Sequence, residues 1–273
     1  MKKLFMIVLL LLLMPISLFA ETNRKVVVIS IDALHPKAIE LKKPATILSV
    51  MTKGVHTMKG SAVSPPMTLI NHAAMIVGKT PQESGYNFNL WKTGDKQVDQ
   101  DTAFHDARKA GYKTYYFYSK ENLGFLVNDA VNQAVWAKAW RRQSITLAEK
   151  IVLEEKADYF LFLHISGLDF IGPRHGWLSP VYLEELADID DELQPMIGEL
   201  LKQKNTTLII TSDHAGHDRI HASDHPEDFK IPLIIYSDMA FFSSLQDQPY
   251  TTYELRKILS RVLKNHKGDG VFH

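Results

Sequence analysis

Five apolar runs punctuate the chain, at residues 26–31, 112–118, 159–164, 207–211 and 232–236, each rich in Val, Ile, Phe or Tyr and each closed by polar residues. Runs without polar alternation suit strands covered on both faces, the condition of a parallel sheet between helix layers. Between them, apolar positions recur at helical spacing over residues 45–52, 69–77, 102–109, 144–155, 180–202 and 252–264. The alternation predicts a three-layer α/β/α sandwich with a mostly parallel central sheet. Residues 94–101 carry no period and read as a surface loop. No repeat or Pro/Gly/Ser linker marks a boundary, so residues 21–273 read as one domain.

The first twenty residues stand apart. Lys2 and Lys3 precede an unbroken apolar run over residues 4–14, then Pro15 and a short stretch ending in Ala20. These are the charged, apolar and cleavage regions of a secretory signal, and the run is shorter than the roughly 20 residues a membrane span needs. Residues 1–20 are therefore expected to be a signal peptide. The mature chain is expected to be exported, periplasmic or secreted, with no membrane span.

Composition narrows the chemistry. The 273 residues include no cysteine and 12 histidines, so a metal must be held by imidazole, carboxylate or hydroxyl groups. Lysine and arginine number 31, as do aspartate and glutamate; losing Lys2 and Lys3 leaves the mature chain at about −2 by the same counting. Binding a nucleic-acid duplex needs a basic excess that is missing, which points to a small-molecule partner.

In open α/β sheets ligands gather beyond the carboxyl ends of strands. Asp32 follows the first run, Asp169 lies five residues past His164, Asp213 and His214 follow the run at 207–211, and His221 comes shortly after. One aspartate at such a place also serves as a helix cap or turn residue. Three aspartates and at least two histidines converging there would repel one another without cations. Mixed Asp and His ligation suits zinc, and two such sites about 3.5–4 Å apart are a recurring device for in-line displacement at phosphorus. The hydroxyl candidate is Thr68. After Pro65 and Pro66 it is placed to cap the helix over residues 69–77, where exposed N–H groups favour anionic oxygens.

These residues carry a resemblance. Ile29-Ser30-Ile31-Asp32, Pro66-Met67-Thr68-Leu69-Ile70-Asn71-His72 through Gly78 and Gly85, Thr211-Ser212-Asp213-His214-Ala215-Gly216, and His221 before Pro226-Glu227-Asp228 and Ile231-Pro232 resemble the alkaline phosphatase superfamily. Within it they look most like the nucleotide pyrophosphatase/phosphodiesterase branch. The resemblance implies one zinc at Asp32, Asp213 and His214 with Thr68 beside it, and a second at Asp169, His221 and a further histidine. It also implies that Thr68 forms a covalent phospho-intermediate and that Asn71 donates its amide to a phosphate oxygen. The departure is at that further histidine. The family pattern Asp-x-x-Gly-His meets Asp169-Phe170-Ile171-Gly172-Pro173 here, and His175, two residues on, is expected to replace the ligand, with His164 next in line.

A threonine nucleophile without an arginine for a third phosphate oxygen favours diesters or nucleotide pyrophosphates over monoesters. The aromatic stretch after the nucleophile helix offers Phe88 and Trp91 to a substrate base or an apolar leaving group, or to the core. The arginine of the sulfatase pattern is missing near Thr68, and lipid-headgroup transferases of the superfamily are expected to carry several membrane spans. A phosphomonoesterase and a metal-poor binding protein on the same fold remain as alternatives.

Overall fold

The computed structural model describes residues 23–138 and 141–264. The expected signal segment 1–20 lies outside the described residues. In chain order the elements are β1 (Lys25–Ile31), α1 (Pro36–Lys42), α2 (Ala45–Lys53), β2 (Val55–Ser61), α3 (Thr68–Val77), α4 (Pro81–Ser84), α5 (Ala103–Lys109), β3 (Lys113–Tyr118) and β4 (Gln133–Trp136). There follow α6 (Arg141–Glu154), β5 (Tyr159–Ile165), α7 (Leu168–His175), α8 (Pro180–Leu200), β6 (Thr206–Thr211), β7 (Lys230–Ser237), β8 (Tyr250–Thr251) and α9 (Leu255–Leu263).

The strands form one sheet in the order β4-β3-β5-β1-β6-β7-β2-β8. All neighbouring pairs are parallel except the two that β7 makes, with β6 and with β2. The sandwich read from the hydrophobic pattern is thus the architecture found. Alternate residues of β1 explain the layering: Val26 and Val28 pack with α3, α5 and α9, whereas Val27, Ile29 and Ile31 pack with α1, α2, α6 and α8. All seven residues of β1 and of β5 are buried, as strands covered on both faces require.

The differences from expectation have local causes. Three strands went unread: β2 mixes His56, Thr57 and Lys59 among its apolar residues, β4 is four residues long, and β8 only two. The helix expected at 252–264 opens instead with a 3₁₀ turn, Thr252–Glu254, before α9. Thr68 was expected as the cap of α3; Met67 is the cap and Thr68 is the first helical residue.

Two helices of one layer, α2 and α8, are tied together by a buried carboxylate. Pro44 precedes α2 and supplies no side-chain cap, so the free N–H groups of Thr46 and Ile47 donate to the two Asp190 carboxylate oxygens of α8, at 2.8 Å each. Replacing Asp190 with alanine strands those donors, and should lower unfolding free energy by about 1–3 kcal/mol in urea titrations. A loss below about 0.5 kcal/mol would contradict this capping role.

Candidate active site

Helix α3 carries the Thr68 hydroxyl. Thr68 stands in its first turn and is 4% exposed. His72, one turn on, donates from Nδ1 to the Thr68 carbonyl (2.8 Å) and accepts at Nε2 from the Ser30 hydroxyl (2.9 Å), pinning α3 to β1. Burial first, and the nearby His164 second, push the His72 imidazole down to about 3, so it stays neutral and holds this tautomer. The Leu69 N–H donates to Asn89 Oδ1 at 2.8 Å, which brings the loop after α4 beside Thr68.

Asn71 is fully buried but does not face the Thr68 hydroxyl. Its Oδ1 accepts from Val63 N–H (2.8 Å) and the Thr252 hydroxyl (2.9 Å), and its amide nitrogen lies 3.2–3.3 Å from the carbonyls of Val63, Pro65 and Met67. Those bonds hold the loop leading into α3, so the amide-donor role expected of Asn71 is not open to it. Asn89 stands beside Thr68 instead: its side-chain oxygen accepts from Leu69 N–H at the start of α3.

Three central strands deliver these groups. Asp32 follows β1, Asp213 and His214 follow β6, Asp169 lies in the first turn of α7 beyond β5, and His164 is within β5. Asp32, Asp213 and His214 are fully buried. His214 donates from Nδ1 to the Ala215 carbonyl (2.9 Å), leaving Nε2 turned inward. That nitrogen is 3.5 Å from Asp32 Oδ1, 3.6 Å from Asp213 Oδ2, 3.5 Å from Thr68 Oγ1 and 3.8 Å from Asp169 Oδ1. The three carboxylate oxygens have no hydrogen-bond donor.

Unpaired buried oxygens facing an imidazole nitrogen are costly unless a cation lies between them. Ligands about 2.0–2.1 Å from a tetrahedral ion stand roughly 3.3–3.5 Å apart, close to the separations around His214 Nε2. Asp32, Asp213, His214 and Thr68 therefore fit one divalent ion, and the first three ligand atoms lie within 4.8 Å of one another. Asp169, His214 and His221 form a second such group, with His221 Nε2 3.4 Å from Asp169 Oδ1 and its ring stacked on that of His214. Burial alone would raise the Asp32 carboxyl, but Lys120 and His164 outweigh it and hold Asp32 well below the usual range. Asp213 is raised, by burial and then by Asp32.

Lys120 is the residue that sequence reasoning missed. It follows β3, and its ammonium is 2.6 Å from Asp32 Oδ2, 2.5 Å from Asp169 Oδ2 and 3.0 Å from Thr68 Oγ1. The signal was present, since Ser119-Lys120 stands beyond the apolar run at 112–118, but a search for metal ligands passes over an ammonium. His164 donates from Nε2 to Asp32 Oδ2 (3.0 Å) while Nδ1 accepts from Ser119 N–H (3.3 Å), so it orients the carboxylate.

His175 does not join the cluster. Asp169 and Pro173 are four residues apart on α7 and share a face, and α7 runs on through Pro173, which turns His175 about 200° around the helix from it. His175 is exposed, as is Arg174, whose guanidinium reaches the Phe170 carbonyl. His217 bonds Asp228 and stacks on His225 outside the cluster. Phe88 is 37% exposed and meets the edge of Phe125, whereas Trp91 packs against Gly124 and donates to the Lys96 carbonyl.

With a mostly parallel eight-stranded sheet carrying this cluster at its carboxyl edge, the architecture is alkaline phosphatase-like. The chain belongs to the type I phosphodiesterase/nucleotide pyrophosphatase family, whose model matches residues 26–229. It is 24% identical over 231 residues to the human GPI ethanolamine phosphate transferase 2 catalytic subunit, covering 78% of this chain and 23% of that protein. The chain thus spans about a quarter of the length of that curated relative. Inactive murine ectonucleotide pyrophosphatase/phosphodiesterase 5 in complex with AMP shares the fold at 12% identity and a TM-score of 0.71, covering 88% of this chain and 95% of that one. A 2-O GAG sulfatase also matches at 12% identity and 0.71, with 90% and 72% covered.

If the orphaned oxygens are cation ligands, added Zn2+ should stabilise the fold, by about 2.7 kcal/mol at one hundred times the dissociation constant. The unfolding midpoint should rise with zinc, and Asp213→Ala should abolish the rise. A midpoint indifferent to zinc in the wild type would show that the cluster is not a metal site.

Proposed function

We propose that the chain is an exported, metal-dependent hydrolase of phosphodiester or nucleotide pyrophosphate bonds, working through a covalent intermediate on Thr68. The observation that carries this reading is the placement of Thr68 Oγ1, 3.5 Å from His214 Nε2 and among carboxylate oxygens without donors, at the start of a ten-residue helix. A divalent cation held by Asp32, Asp213 and His214 would supply charge stabilisation and make the adjacent hydroxyl a competent nucleophile at neutral pH.

The chain's own groups account for the rest. N–H groups in the first turn of α3 favour a phosphate oxygen. Asn89, its carbonyl oxygen held by Leu69 N–H, has its amide nitrogen available for a second phosphate oxygen. Thr68 Oγ1 attacks phosphorus in line. The Oγ1–P bond forms as the bond to the leaving oxygen breaks, the threonine proton passes to solvent, and the leaving oxygen takes one from solvent. Water then attacks the Thr68 ester from the opposite side and releases Thr68. Support for a nucleotide-like substrate comes from the family and from the fold shared with a phosphodiesterase that binds AMP. Phe88, half exposed beside this loop, is the surface on which a base would stack, while Trp91 supports the loop from beneath. Export rests on the pattern of residues 1–20, and N-terminal sequencing of protein recovered outside the cytoplasm tests it.

The enzymatic reading is tested by assaying bis-nitrophenyl phosphate beside nitrophenyl phosphate and nitrophenyl sulfate, with the diester expected to lead. Thr68→Ala should remove turnover while leaving metal content unchanged; more than a few per cent residual activity would reject the nucleophile. The two asparagines should separate cleanly. Asn89→Ala is expected to slow diester turnover about 10²-fold with an unchanged unfolding midpoint, whereas Asn71→Ala should cost about 1–3 kcal/mol of stability. The reverse pattern would restore Asn71 as the amide donor.

A further inference from the structure

In two-metal phosphoesterases a second divalent ion assists the first. Here an ammonium already stands beside Thr68 and takes one oxygen of Asp169, a member of the second candidate group Asp169, His214 and His221. The Lys120 ammonium donates to Asp169 Oδ2 (2.5 Å) and Thr68 Oγ1 (3.0 Å) and forms an ion pair with Asp32 Oδ2 at 2.6 Å. Asp32 and Asp169 thereby each turn one oxygen to the ammonium and leave the other free for a divalent ion. Their Oδ2 atoms face the ammonium, and their Oδ1 atoms face His214 and have no donor.

We propose that Lys120 is a catalytic residue whose ammonium stands in for the second metal, so that the centre runs on one divalent ion and one fixed organic cation. The inference rests on the phosphoesterase reading of the site and deepens it. Three features converge on it. First, α7 offers Pro173 in place of an imidazole one turn after Asp169, and His175 is turned outward and exposed. Second, the buried charges balance: three carboxylates are neutralised by one ammonium and one divalent ion, and a second divalent ion would leave two positive charges without partners. Third, the Lys120 ammonium itself donates to Thr68 Oγ1, at 3.0 Å. It stabilises the developing alkoxide before the Oγ1–P bond forms, and again when that bond breaks and Thr68 departs from phosphorus.

The test is a metal count on the purified full chain, loaded with zinc, freed of excess by gel filtration and measured by mass spectrometry, with diester turnover followed in parallel. About one zinc per wild-type chain is expected, and about one for Lys120→Arg, which keeps the charge. Lys120→Ala removes the ammonium from between two carboxylates, so its zinc count should rise toward two while turnover falls about 10²-fold or more. Two zincs in the wild type would overturn the proposal, as would Lys120→Ala with one zinc and turnover within threefold of wild type. Should Lys120→Ala fail to fold, the wild-type count decides alone. A wild type that holds one zinc yet hydrolyses none of the esters would reject the phosphoesterase reading while supporting the charge count.

Discussion

The structure turns on buried like charges that must be compensated. Asp32, Asp169 and Asp213 meet at the carboxyl edge of the sheet, two of them fully buried, and no arrangement of apolar core can pay that electrostatic cost. Everything near them is organised to supply positive charge or donors. Lys120 reaches in from β3, His164 is oriented by Ser119 to donate to Asp32, and Ala33 N–H donates to Asp213 Oδ1 at 3.1 Å. What remains, an imidazole nitrogen facing oxygens without donors, has the donor set of a divalent cation.

Parallel topology makes this convergence possible. β3, β5, β1 and β6 are neighbours and run the same way, so the residues that follow them emerge side by side despite separations of more than 100 positions along the chain. Pairing in register, with Ser30 beside His164 and beside Thr211, fixes the depth at which each side chain emerges. Helix α3 then carries Thr68 to the same edge, held there by the His72 bond to Ser30.

Much of this was legible from residue order. Strands buried on both faces declare themselves by unbroken apolar runs, as β1, β5 and β6 do, and Asp32, Asp213 and His214 stand where such strands end. Edge strand β4, and β2, which β8 covers only at Gly60 and Ser61, are half wetted, so their sequences carry polar residues and no clear period. The site was harder to read wherever orientation decided the outcome. Asn71 and Asn89 are equally polar on paper, yet one is consumed by the carbonyls of its own loop and the other is braced against the helix start. Whether His175 could replace a ligand depended on α7 continuing through a proline, which no local pattern announces. Lys120 escaped notice because its importance lies in what surrounds it.

Strands β4 and β8 close the two margins of the sheet and contribute nothing to the cluster. The irregular stretch between α4 and α5 leaves Leu90 89% exposed but meets the start of α3 through Asn89. The charged cluster is therefore confined to the middle of the sheet. Margins that carry none of the charged groups can lengthen or be exchanged while the depth at which Asp32, His164 and Asp213 emerge stays fixed by the shared register of β5, β1 and β6.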